Sequence, residues 1–283
     1  YNLDNLYDFE AFLGELDEIC KTQGLPAAST LCEYGDGQFE VNLRHREDPA
    51  AACDEAMLLK RTVKGVARRH GLLASFMAKP FADQPGNGLH VHLSLYDKNG
   101  DNIFAGNSGQ SPYSDKFLHA VGGVLKTMPE GMAVFAPNAN SYRRFQPGMY
   151  VPLTPNWGPN HRGVSVRVPV ATAKAMRLEH RLAGADANPY LVTAAVLAGV
   201  HPGLAAACDP GPMVAEGTVL GDLAPTLPLR LEAALDAFEQ SAVMRDFFGA
   251  DYADIFTACR RGEADRFHAE ISDRDYDWYL RTT

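Results

Sequence analysis

The stretch Gly86-Asn87-Gly88-Leu89-His90-Val91-His92-Leu93-Ser94-Leu95 sets two imidazoles and a hydroxyl two residues apart. As a β-strand it carries His90, His92 and Ser94 on one face. Leu89, Val91, Leu93 and Leu95 form the other face, wholly apolar, which can be buried under helices while the polar face looks into a cavity. The Gly-Asn-Gly lead-in removes side-chain bulk just before His90, as a backbone must where a ligand comes close. Taken alone, the same alternation also describes a half-exposed, solvated strand, so the neighbouring sequence has to decide.

Upstream, residues 72–76 read as a buried strand, and residues 49–70 as a helix with Asp48 as N-cap, Pro49 at its first position and Gly71 at its end. Before that helix, two strand-like runs around Gly35-Asp36-Gly37 bring Glu33 and Glu40 together. Carboxylates held close repel unless a cation or a proton sits between them. Apolar spacing over residues 6–23 predicts one amphipathic helix, closed by Gly24-Leu25-Pro26.

Downstream, Asp97-Lys98-Asn99-Gly100 predicts a turn with a return strand through Ile103-Phe104, and residues 114–128 a helix. Residues 135–155 are polar and aperiodic, the mark of a long functional loop. Residues 162–169 and 176–181 read as strands; the second sets Met176, Leu178 and His180 on one face and Arg177, Glu179 and Arg181 on the other. Guanidinium groups flanking a carboxylate form a structural ladder or an anion site, and the nearby arginines favour the latter. Asn188-Pro189 opens a small-residue helix, and residues 209–283 hold a Pro/Gly-rich link and amphipathic helices with no catalytic cluster.

A chain of 283 residues with 46% hydrophobic content can bury a core, and a net charge of -9 without a basic run excludes a nucleic-acid partner. Five cysteines without a CxxC pair read as reduced thiols, which favours the cytoplasm, and no run approaches the ~20 apolar residues of a membrane span. The first residue is not Met, which fits a fragment of a longer chain. The collected Glu33, Glu40, His90 and Glu179 suit Mg²⁺ or Mn²⁺, and the arginines beside them suit phosphoryl transfer. There is no GxxxxGK[ST] loop, so the chain is not a P-loop enzyme.

Eight motifs in order carry a resemblance: Glu33-x-Gly-x-Gly-Gln-x-Glu40, Lys79-Pro80, Gly88-x-His90-x-His92-x-Ser94-Leu95, Asn140-Ser141-Tyr142-x-Arg144, Trp157-Gly158-x-x-x-Arg162, Arg167-x-Pro169, Arg177-x-Glu179-x-Arg181 and Ala187-Asn188-Pro189-Tyr190. Together they resemble the glutamine synthetase catalytic domain. Tyr1-Asn2-Leu3-Asp4, Lys60-Arg61-Thr62-Val63, Phe76-Met77-Ala78-Lys79-Pro80 and Ser141-Tyr142-Arg143-Arg144-Phe145 look most like its glutamate–putrescine (gamma-glutamylpolyamine) ligases.

The resemblance implies an α+β fold for residues 1–283, a curved and largely antiparallel sheet forming a funnel with helices outside. It implies ATP and two divalent sites, Glu33 with Glu40 and His90 with Glu179. Arg144, with backbone at Gly86 and Gly88, would hold glutamate; Arg162, Arg167 and Arg181 would surround the transferring phosphoryl group. His92, Ser94, Lys174 and Arg177 would face the nucleotide. Glutamate would be activated as an acyl phosphate and captured by an amine. Where ammonia-using members carry a flap glutamate, this chain has Tyr150, which favours a larger primary amine and leaves the general base unassigned. The family's small N-terminal domain and Glu-x-Glu metal strand would precede residue 1, and its members assemble as stacked hexameric rings. An ordinary glutamine synthetase and a catalytically silent assembly scaffold are the competing expectations.

Overall fold

In the computed structural model, which describes residues 4–106, 111–220 and 224–282, the chain starts with α1 (Asp4–Asp8) and α2 (Glu10–Thr22). The Tyr1-Asn2-Leu3 part of the opening motif lies outside the described residues. Two helices replace the single one predicted over 6–23 because the chain breaks at Phe9, whose ring lies edge-on to Phe39 at 5.2 Å. β1 (Ala27–Cys32) and β2 (Phe39–Leu43) pair antiparallel across a turn that holds Gly37 at φ 65°, a left-handed conformation open to glycine. α3 (Pro49–Arg69) starts where Asp48 accepts from the N–H groups of Ala50 (2.8 Å) and Ala51 (3.3 Å). α2, α3 and the β1–β2 pair enclose a small core of Phe12, Leu16, Cys20, Leu25, Leu59 and Val66. Asp48→Ala should lower stability by about 1 kcal/mol, read as a lower urea midpoint at unchanged slope.

Residues 72–76 are not a strand. Gly71 ends α3 at φ 70° and the run then crosses the surface with Leu73 95% exposed, since an apolar run becomes a strand only where a partner strand is at hand. β3 (Val91–Leu93) is shorter than the alternation predicts, because Gly88 and Leu89 bond instead to Gly184 and Ala183. Leu89, Val91, Leu93 and Leu95 nonetheless pack on the main core. Ile103-Phe104 forms no return strand; the Asp97 carboxylate collects the N–H groups of Asn99 (2.8 Å) and Asp101 (3.0 Å), and one bridge, Tyr96 to Asn102, closes the turn.

α4 (Asp115–Thr127) and α5 (Met132–Phe135) follow, then a loop containing a 3₁₀ turn, Ser141–Arg144. β4 (Trp157–Pro159), β5 (Val166–Val168) and β6 (Leu178–His180) join β3 in a sheet of order β3-β6-β5-β4. β6 runs antiparallel to both β3 and β5, whereas β4 and β5 are parallel, so the sheet is mixed. α6 (Pro189–Ala205) lies against α4 at glycine distance: a Cβ on Gly123 would stand 2.2 Å from the Gly199 carbonyl oxygen. α7 (Leu231–Gln240), α8 (Ala242–Phe248), α9 (Ala250–Ala269) and α10 (Asp273–Tyr279) complete an α+β fold whose main core gathers Phe104, Phe117, Met132, Leu178, Leu235 and Phe238. The five cysteines are free. Among the described residues, no helix is long and apolar enough to cross a membrane.

Candidate active site

β6 divides its side chains as the alternation requires. Leu178 and His180 are fully buried in the core, and His180 packs against Phe135 with the rings tilted at 49° and their centroids 4.3 Å apart. The other side presents Glu179, which faces His92 on β3 and Arg167 on β5 in the ladder register. Its two oxygens accept from Arg181 Nη1 at 2.5 Å and Arg167 Nη1 at 2.7 Å, and His90 Nδ1 lies 3.3 Å away. Burial opposes the Glu179 charge, but Arg181, the two histidines and Arg167 outweigh it and hold the carboxyl at about 2. Desolvation and the Arg181 charge hold His90 at about 3, against the pull of Glu179. His90 is therefore a neutral imidazole beside an ionised carboxylate, with its side chain 30% exposed. Arg177 Nε meets the ring of His92 at 3.2 Å.

Below this ladder, the 3₁₀ turn delivers Arg144. Asp186 accepts from Ser141 Oγ at 2.5 Å and Asn138 Nδ2 at 2.8 Å, while Asn140 exchanges two 3.0 Å bonds with the Lys79 backbone. So pinned, Arg144 is 3% exposed and donates to the Leu182 carbonyl. Among the described residues its Nε has no partner and no carboxylate pairs with it. Burial draws its pKa down to about 10, with Asp186 resisting. Gly86 and Gly88 line the same spot: a Cβ on Gly86 would stand 2.5 Å from Arg144 Cγ and 2.6 Å from the Ala78 oxygen. Gly86→Ala should therefore displace Arg144 and cost about 1–3 kcal/mol, measured by thermal melt.

The third component is the acidic pair. Burial, then a shared hydrogen bond and the charge of Glu40, push the Glu33 carboxyl up, while Arg162 pulls it down. The charge of Arg162 also acts on Arg181, so it lies within electrostatic reach of both the acidic pair and the ladder. The acidic pair, His90 with Glu179, Arg144, Gly86 and Gly88, and the arginines at 162, 167 and 181 thus come together. Ser94 instead donates to the Met176 carbonyl at 3.0 Å. Lys174 is exposed, its carbonyl accepting from Tyr96 Oη (2.9 Å) and Asn102 Nδ2 (3.1 Å). Tyr150 is exposed in the loop at φ 53°. Among the described residues no three of His, Cys, Asp or Glu gather as a metal site; the candidate ligands stand in two pairs.

Three polar residues of the site were given no role by the sequence. Asn160, at φ 48°, accepts from Arg167 Nη2 at 2.8 Å and donates to Glu216 at 2.9 Å. Gln38 bonds the Gly86 loop, and Asp186 anchors the turn below Arg144. Gln38 stood in the sequence as a named residue of the Glu33-x-Gly-x-Gly-Gln-x-Glu40 motif, without a role.

Similar proteins give the arrangement a family. The chain is 40% identical over 282 residues to gamma-glutamylputrescine synthetase PuuA of Escherichia coli (strain K12), covering 99% of this chain and 59% of that one. It is 31% identical over 271 residues to the glutamate–isopropylamine ligase of a Pseudomonas species, covering 95% and 59%. It is 34% identical over 255 residues to the glutamine synthetase of Halobacterium salinarum, covering 88% and 56%. The solved structure of apo GmaS without ligand superposes with a TM-score of 0.90 at 33% identity over 99% of this chain and 65% of that one. The chain thus spans about six-tenths of the length of the curated relatives it matches. A family model, "Glutamine synthetase, catalytic domain", matches residues 1–279, and this chain belongs to that family.

Proposed function

We infer that the whole protein is an ATP-dependent ligase that joins glutamate to a primary amine, putrescine or another polyamine, through a γ-glutamyl phosphate. The observation that carries this reading is Arg144: a buried guanidinium without a carboxylate partner among the described residues, beside Gly86, where any Cβ would collide with the Arg144 stem and the Ala78 carbonyl. Such a group awaits an anion. An amine in place of ammonia is favoured by Tyr150 at the flap and by the printed activities of two relatives, one named for putrescine and one for isopropylamine.

Arg144 would hold the substrate's α-carboxylate, leaving the γ-carboxylate toward the ladder. Arg162, Arg167 and Arg181 would stabilise charge on the transferring phosphoryl group. Their residual charge is tempered by Glu179, which fixes two of the three guanidiniums. His92, Ser94, Lys174 and Arg177 would face the nucleotide. The acidic pair and the neutral His90 with Glu179 fit hard divalent cations, since close carboxylates need a cation or a proton between them and an imidazole ligates only when neutral. Bound there, Mg²⁺ or Mn²⁺ would neutralise phosphate charge. The family's Glu-x-Glu strand would complete both sites, and stacked hexameric rings would be the assembly.

In the first step a γ-carboxylate oxygen attacks the terminal phosphorus of ATP and ADP leaves. In the second the neutral amine attacks the acyl carbon, phosphate departs with the bridging oxygen, and the amine's proton passes to a base. A site poor in water protects the acyl phosphate between the two. Glutamate labelled with ¹⁸O in its γ-carboxylate tests the route: each phosphate released by the full-length protein should carry one labelled oxygen. Unlabelled phosphate would contradict the acyl phosphate.

A further inference from the structure

We propose that Gln38 couples the acidic pair to the amino-acid site, so that a divalent cation held by Glu33 and Glu40 tightens glutamate binding at Arg144. This rests on the ligase reading above and names a residue to which that reading gives no role. Gln38 lies on the connection between β1 and β2, five residues after Glu33 and two before Glu40. Its amide is fully engaged: Oε1 accepts from Gly35 N–H at 3.1 Å, and Nε2 donates to the Gly86 carbonyl at 3.1 Å and to Asn87 Oδ1 at 2.8 Å.

Both ends of this bridge are tied in by further hydrogen bonds. On the acidic side, Glu33 N–H donates to the Gln38 carbonyl at 2.8 Å, so the main chain and the side chain of Gln38 both tie it to residues 33–35. On the far side Asn87 is anchored by its Nδ2 to the Met77 carbonyl (2.8 Å), its N–H to Ala78 (2.8 Å) and its carbonyl to Ala185 N–H (3.0 Å). Gly86, which receives the Gln38 bond, lies directly against the Arg144 stem. A shift of the hairpin on drawing Glu33 and Glu40 onto a cation reaches Arg144 through one amide.

Gln38→Met keeps length and volume but removes all three bonds. Gln38→Glu keeps the acceptor for Gly35 but sets a carboxylate against both the Gly86 oxygen and Asn87 Oδ1; turning the Asn87 amide would relieve only the second and would break its bond to Met77. Gln38 is half-buried on a hairpin, so both variants are expected to fold with melting temperatures near wild type. The test is calorimetric titration of full-length protein with glutamate, with and without Mn²⁺, and no amine present. Wild type should bind glutamate about fivefold or more tightly with Mn²⁺, and both variants should lose that factor while still binding Mn²⁺ alone. A merely structural role would weaken both ligands and keep their ratio. Wild type without coupling, or variants that retain it, would overturn the proposal; wild type that binds no glutamate at all would overturn the ligase reading instead.

Discussion

Glu179→Gln should lower ligase activity by more than about 100-fold and destabilise the fold by about 3–5 kcal/mol. The substitution changes no shape. It leaves Arg181, 8% exposed, and Arg167 facing a neutral amide whose single oxygen can serve one of them while its NH₂ opposes the other. Breaking one side of a buried ion cluster strands the remaining charge, which is why the cost exceeds that of an exposed pair. Asp236→Asn, which breaks the exposed bridge to Arg261, is the control and should leave melting and activity unchanged. Equal melting of the Glu179 and Asp236 variants would remove Glu179 from the centre of the site.

Arg144→Met should behave in the opposite sense. Glutamate binding should weaken roughly 30-fold or more, the cost of truncating a buried, charge-assisted carboxylate contact. Stability should hold or rise, because in the absence of ligand the fold carries a buried guanidinium whose Nε is unpartnered. Replacing a buried guanidinium that no carboxylate neutralises with an apolar chain removes a desolvated charge at the cost of the bond to the Leu182 carbonyl, and removes the contact that holds glutamate. Calorimetry with glutamate and a thermal melt give both numbers. A stability loss with unchanged glutamate affinity would assign Arg144 to the scaffold.

These two residues also mark how far the sequence could be read. Glu179 was legible because alternation is local: Arg177-x-Glu179-x-Arg181 fixes which side chains share a face before any partner strand is known. The cap at Asp48 was legible for the same reason; Ser114, read as the first residue of its helix, and Asn188 prove to be caps as well. The exposure of residues 72–76 was not, because a strand needs a neighbour and neighbours come from elsewhere in the chain. The supports of the site were hidden for a related reason. Asp186 meets Ser141 across 45 residues, and Gln38 meets Gly86 across 48. An amide or carboxylate in a loop is compatible with many partners, and only the fold selects one. The roles of Glu33, Glu40, His90 and the arginines came from eight motifs in order, whereas their meeting in one place came from the structure.

The most direct measurement is phosphate release from ATP and glutamate by the full-length protein across a panel of nucleophiles: ammonium, isopropylamine, putrescine and spermidine. The account predicts turnover with at least one primary amine and little with ammonium at equal concentration of the free base. Turnover with ammonium and none with any amine would contradict it.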